Sequence, residues 1–236
     1  MKFCFLLLLL STTSALFSGL FPVRGVEITQ CNKSKFNELS DFFTRSFWAD
    51  KRNGNKLDDR GLSRMRDLQL GEFRRRYSVQ RRSALLLAQR PGSTKKSTTL
   101  SSTTNIILNT PPDDGLEIIG CVAVDLENLV DLNTLDRCPN SPVMSNLAVD
   151  KQFRGRGVAT KLVDAIERKV KEDRLGDSLY LKVDVSNTKA RNLYKKRGYR
   201  EIWKESATTM EPSMNDSGKW EMEQTDCETV VMRKTV

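Results

Sequence analysis

The stretch Val149–Val163, VDKQFRGRGVATKLV, sets two arginines among two glycines and runs directly into an amphipathic segment. Gly155 and Gly157 free the backbone to turn sharply ahead of a helix, so that several N–H groups and the positive end of the helix dipole converge on one point. An anionic phosphate suits that point. The pattern is not a dinucleotide fingerprint, because Thr160 stands where its third glycine would be, and no GK[ST] follows to make a P-loop. A glycine-rich turn is also very often only a turn.

The chain has 236 residues, a formal charge of +9 and no histidine. The length suits one domain with a substantial core. The missing imidazole excludes a Ser-His-Asp triad, a histidine general base and a histidine-bound zinc. Cys31, Cys121, Cys138 and Cys227 are scattered without a CxxC pair, which is neither a metal-ligand spacing nor a dense disulfide framework, and no metal is expected. The positive balance favours an acidic partner, but a basic targeting segment or a polyanionic cofactor accounts for it equally. Arg74–Arg76 lack the aromatic interleaving of a stacking platform, so they read as a solvated helix face and no nucleic acid is expected.

The elements that must position the turn follow from periodicity. Apolar positions predict strands at 26–29, 84–88, 116–124, 143–149, 179–185, 199–203 and 229–232, and helices at 35–48, 57–77, 156–171 and 188–197. Gly198 stops the last helix. Hairpin-like connections between several strands predict an α+β fold, a mixed, largely antiparallel sheet of about seven strands with helices on both faces. Residues 26–236 form the domain, with insertions near 90–115, 128–142 and 206–225, the last a polar loop holding Trp220. Residues 1–25 read as a targeting segment: Lys2, an apolar run from Phe3 to Leu10, and small residues at Thr13 and Ala15 form a signal-peptide pattern too short to span a bilayer stably. No stable membrane insertion is expected after its removal. The acid-free stretch after it, with Phe17 near the cut, resembles two-part plastid targeting sequences; entry to the ER lumen and secretion is the alternative.

Two motifs together carry a family resemblance. Q-x-x-G-x-G at Gln152–Gly157, entered from SNLAVD and continued by VATKLV, and DVSNTKARNLYKKRGY at Asp184–Tyr199 resemble the two hallmarks of the GNAT superfamily of acyl-CoA-dependent N-acetyltransferases, in the family's order. The resemblance is strong over 143–200 and looser over the rest after residue 25; FFTRSFW, RRYSVQRRSALLLAQ and GCVAVDLENL look like its plastid branch, associated with acetylating protein N-termini and lysines. It implies that acetyl-CoA is the cosubstrate and that a protein or peptide amine accepts the acetyl group. A small-molecule amine, or a CoA-binding regulatory protein without turnover, is the alternative.

The resemblance also implies residue roles. The backbone from Arg154 through Gly155, Arg156, Gly157, Val158 and Ala159 to Thr160, with Gln152, would hold the pyrophosphate, and the Arg154 and Arg156 side chains would add charge from the solvent side. The strand backbone at Leu147, Ala148 and Val149 would pair with the pantetheine arm and polarise the thioester carbonyl. Asn187 would reach the cofactor, although alone it reads as a helix N-cap. Tyr194 would protonate the leaving thiolate, although alone it reads as packing. An α-amine, with reference pKa about 7.7, is far more often neutral than a lysine at about 10.4, which makes N-termini the easier acceptor. For the general base, ordered water, Asp125, Glu127 and Tyr180 all remain open.

Overall fold

The computed structural model describes residues 23–48, 58–78, 83–92, 115–215, 217–218 and 220–236. The targeting segment up to residue 22, the turn at 49–57 and most of the first insertion, 93–114, lie outside the described residues.

The order of elements is β1 (Glu27–Gln30), α1 (Phe36–Trp48), α2 (Asp59–Tyr77), β2 (Ser83–Pro91), β3 (Leu116–Val130), β4 (Arg137–Val149), α3 (Val158–Glu172), β5 (Ser178–Asp184), α4 (Thr188–Lys196), β6 (Arg200–Met214) and β7 (Trp220–Thr235). The seven strands form one sheet in the order β1-β2-β3-β4-β5-β7-β6. Every neighbouring pair is antiparallel except β4 with β5. This is the mixed α+β architecture expected from the pattern.

The unbroken apolar run in β2 follows from burial on both faces. Ala84, Leu86 and Ala88 join a core with α3 and α4, while Leu85 and Leu87 join a second core with α1 and α2. The first core takes the stripe Leu162, Val163, Ile166 and Val170 from α3. The second is built on aromatics, with Phe43 meeting Phe73 edge-on at 5.6 Å. A third, smaller cluster of Leu129, Val143, Tyr180, Trp203 and Val231 is built from strands alone, with Val143 and Tyr180 alternating with Met144 and Leu181 of the first core.

The segments at 128–142 and 206–225 are not loops. β3 and β4 stay paired to Val130 and Arg137, leaving only the tight turn closed by Asp131 N–H to Asp136 O at 2.9 Å. β6 and β7 stay paired to Met214 and Trp220. One face of β6 is still the more buried, at Glu205, Ala207 and Thr209, while Lys204, Ser206 and Thr208 are exposed, so the burial alternates but polar and small residues carry it. At the base of this hairpin the cross-strand pair of Lys204 with Glu228 at 3.1 Å supports the ladder.

Candidate active site

β4 and β5 are parallel neighbours through only Val143 with Tyr180 and Met144 with Leu181. β5 is meanwhile held along its whole length by β7, from Ser178 with Thr235 to Asp184 with Thr229. Beyond Met144 the two strands therefore part, and a cavity of about 420 Å³ opens between them. Leu147 and Val149 line it from β4, Phe153, Arg154, Gly155 and Gly157 from the turn, Val158, Ala159 and Thr160 from the first turn of α3, and Asn187, Ala190, Leu193 and Tyr194 from the α4 side.

The strand edge facing this gap is open for pairing except at the Val149 carbonyl, which accepts Arg154 Nε at 2.9 Å. Asp150 gives its N–H to Ile119 O at 2.9 Å, on the β3 side. By the alternation of a strand, the main-chain groups of Leu147 and Val149 then point away from β3, toward the gap. The same alternation removes Ala148 from the cavity: its side chain lies in the α1/α2 core, which is a correction to its expected place among the cofactor contacts, since only its backbone neighbours reach the gap.

At the other end, Gly157 is the N-cap of α3 with φ +83°, and no side chain caps the helix. The first intrahelical bond is Lys161 N–H to Gly157 O at 3.0 Å, so the N–H groups ahead of Lys161 have no helical acceptor. No acidic residue stands in the first turn. An uncapped, positively polarised helix end beside a left-handed Gly155 is suited to an anion.

The arginines of the turn differ. Arg154 does not reach into solvent as expected: its Nε donates to Val149 O at 2.9 Å and its Nη2 reaches Ser46 O at 3.5 Å, tying the turn to β4 and to the end of α1. Burial lowers its pKa, against the opposing effect of Asp150, and the guanidinium remains charged. Arg156 has a buried Nε with no partner among the described residues. Gln152 is exposed and does not line the cavity.

Asn187 caps α4, its Oδ1 accepting Ala190 N–H at 3.1 Å, while it also lines the cavity; both readings of this residue hold geometrically. Tyr194 is fully buried at the cavity wall, packed edge-on against Tyr199 at 5.7 Å. Its hydroxyl has no partner among the described residues, and burial pushes its pKa well above the ordinary phenol range, so it stays a proton donor. Phe153, Ala190 and Leu193 were not singled out from the sequence, where they looked like plain apolar filling.

For the general base, Asp125 is committed elsewhere: it is ion-paired to Arg76 and accepts the Tyr77 hydroxyl at 3.1 Å. Tyr180 sits in the third apolar cluster. Glu127 is half-buried, falls two positions from Asp125 on β3 and does not line the cavity.

Residues 64–199 match the Acetyltransferase (GNAT) family. The chain belongs to this family. It is similar to an N-alpha-acetyltransferase of Sulfurisphaera tokodaii (strain DSM 16993 / JCM 10545 / NBRC 100140 / 7), with 38% identity over 90 residues, 36% of this chain and 52% of that protein, so the match spans about half of the relative. Among solved structures it resembles Arabidopsis thaliana NAA60 in complex with acetyl-CoA, with a TM-score of 0.55 and 13% identity over 89% of this chain and 98% of that one. A putative acetyltransferase from Acinetobacter baylyi ADP1 gives a TM-score of 0.54 and 10% identity over 92% and 95% of the two chains. These likenesses show the GNAT fold.

Proposed function

We propose that the protein transfers acetyl from acetyl-CoA to a protein or peptide amine, with the N-terminal α-amine as the preferred acceptor. The observation that carries this is one cleft with an uncapped helix N-terminus at one end, a largely open strand edge along its wall and, at the other, a protonated tyrosine without a partner among the described residues. Those features fit a long amide-bearing arm with phosphates at its far end and a thioester at its near end. The relative named N-alpha-acetyltransferase supports the α-amine as acceptor.

Acetyl-CoA, when bound, supplies an activated acyl carbon. The first turn of α3, with Arg156, holds the phosphates; Leu147 and Val149 orient the arm by main-chain pairing and polarise the carbonyl. As the neutral acceptor nitrogen forms the C–N bond, the C–S bond breaks and Tyr194 gives its hydroxyl proton to the departing sulfur; the surplus proton on the acylated nitrogen then returns to the Tyr194 phenolate through solvent, leaving a neutral amide and the tyrosine reset. The acceptor ammonium must first lose a proton, which costs an α-amine far less than a lysine at neutral pH.

The test is mass spectrometry of a peptide library treated with isotopically labelled acetyl-CoA and the chain lacking residues 1–25, with Tyr194→Phe alongside. Label on N-termini, lost in the variant, supports the reading; label on lysines alone overturns the acceptor preference. Binding of CoA without any label redirects the function to a small amine or a non-catalytic role. We also propose plastid delivery, on the targeting pattern of residues 1–25; a fluorescent fusion of residues 1–45 found in the ER or the medium would overturn it.

A further inference from the structure

The cleft edge depends on a bulge in β4. Cys121 pairs with Ala148 but Ala123 pairs with Ser145, so Asn146 and Leu147 together oppose Val122. Asn146 takes up the extra residue with φ +55°, a left-handed conformation that asparagine tolerates better than other residues with a Cβ. The bulge resets the alternation of the strand. Met144, Leu147 and Val149 all face the α3/α4 core, while Val143 and Ala148 face the opposite side. In an unbulged strand the positions after Met144 would exchange faces, and Ala148 would turn to the cleft in place of Leu147 and Val149.

Asn146 is 3% exposed; its backbone carbonyl and its Nδ2 are tied to other elements, while its buried Oδ1 has no partner among the described residues. Its carbonyl accepts the Cys121 thiol at 3.2 Å. Its Nδ2 donates to the Tyr77 hydroxyl at 3.0 Å, and that hydroxyl donates to Asp125 Oδ2 at 3.1 Å. Arg76 pairs with Asp125 and lies 3.9 Å from Glu72. Tyr77 has one proton and Asp125 can only accept, so the hydroxyl must present its lone pair to Asn146, which fixes the orientation of the amide. Burial, with Asp125 adding to it, pushes the Tyr77 pKa well above the ordinary phenol range and keeps that proton in place. None of Arg76, Tyr77, Asp125 or Asn146 lines the cavity.

We propose that Asn146 is a positioning residue for acyl transfer, and that Tyr77 at the end of α2 clamps it so that the bulge presents the Leu147 and Val149 backbone to the thioester. The proposal rests on the acetyltransferase reading for its role, and on the bulge alone for its structure. The clamp lets α2, through the Tyr77 hydroxyl, set the geometry of the strand that bears the cleft edge.

The experiment uses Tyr77→Phe, Asn146→Gly and the double variant. Asn146→Gly accepts the left-handed backbone without the amide, so it remains foldable if Tyr77→Phe does not. In the free protein, amide hydrogen exchange at Ala148 and Asp150, the N–H groups that β4 turns toward β3 beside the bulge, should speed up in each single variant, and no further in the double, because both remove one device. In turnover, kcat should fall on the order of tenfold to a hundredfold, the range a small misplacement of reacting groups produces, with the KM for acetyl-CoA little changed. Unchanged exchange in the single variants, or additive effects in the double, would overturn the clamp. Exchange that responds while the wild-type chain shows no transfer would leave the clamp standing and sink the acetyltransferase reading instead.

Discussion

Trp220 Nε1 donates to Asp58 Oδ1 at 2.8 Å, and the same oxygen accepts Gly61 N–H at 2.7 Å, so one carboxylate caps α2 and anchors the start of β7. β7 pairs with β5 only from Thr229 onward; the residues before it run past the end of β5, where the cleft opens, and cross to α2 on the face away from α3. Removing the cap with Asp58→Ala should cost about 1–3 kcal/mol, since it loses an N-cap and leaves a buried indole N–H unpaired. Trp220→Phe should cost less, about 0.5–1.5 kcal/mol. Urea melts check the order of the two. Under the proposed function, Trp220→Phe should also raise the KM for the peptide while sparing that for acetyl-CoA; the reverse pattern would place the hairpin on the cofactor side.

Tyr194 offers a test in which stability and activity move in opposite directions. Its hydroxyl is buried and unpartnered among the described residues, a state that costs about 1–3 kcal/mol relative to a satisfied or absent group. Tyr194→Phe keeps the ring against Tyr199 and removes that cost. The free variant should therefore melt higher than the wild type while its kcat falls, as measured by calorimetry and steady-state kinetics. A lower melting temperature would mean the hydroxyl is satisfied in solution.

Gly120 supports the cleft from behind. A Cβ there would stand 2.9 Å from Leu162 Cδ1, 3.0 Å from Ala148 O and 3.3 Å from Val158 Cγ1, which wedges α3 away from the strand that bears it. Gly120→Ala should cost about 1–3 kcal/mol as overpacking and weaken CoA binding through the displaced first turn of α3. Gly157→Ala meets no atom within 4 Å, but it places a side chain at φ +83°, costing about 1–2 kcal/mol by backbone strain alone. Denaturant melts and CoA titration of the two variants separate crowding from strain.

The order of elements and most of the cleft were legible because local signals agreed with tertiary demands. The stripe at Leu162, Val163, Ile166 and Val170 and the stop at Gly198 each have one sensible reading, and Gly155, Gly157, Asn187 and Tyr194 carry their spacing in the chain. What was not legible depended on partners far away in sequence. The outer ladder of β6–β7 shows no apolar alternation because polar and small residues, Glu205, Ala207 and Thr209, fill the more buried positions of β6. The inward turn of the Arg154 side chain depends on two carbonyls, one of them on α1. The bulge at Asn146 reads as an ordinary strand position until Tyr77, Asp125 and the β3 register are known.

Glu201 links α4 to the sheet, and its charge makes that link depend on pH. Its Oε1 accepts Arg191 Nε at 3.0 Å and Nη2 at 2.7 Å, and Lys195 Nζ lies at 3.0 Å. These bonds, Arg191 first and Lys195 next, lower the Glu201 pKa below the ordinary carboxylate value. The folded state therefore prefers the ionised form. The stabilisation is complete above the unfolded pKa of about 4.3 and is lost as pH falls through the lower folded value. Solvent screening keeps it small, below about 1 kcal/mol. Glu201→Gln should accordingly be slightly less stable than wild type near neutral pH and equal to it in strong acid, with the difference closing below the carboxylate range. Arg191 also donates to Val185 O at 2.9 Å, at the end of β5 and beside Asn187, so the loosened contact lies on the element that carries Tyr194. Urea melts across this pH range, set beside Lys169→Gln, which removes the ion pair to Asp173 at the end of α3, decide it: a constant difference at every pH would mean that the carboxylate acts by packing and not by charge.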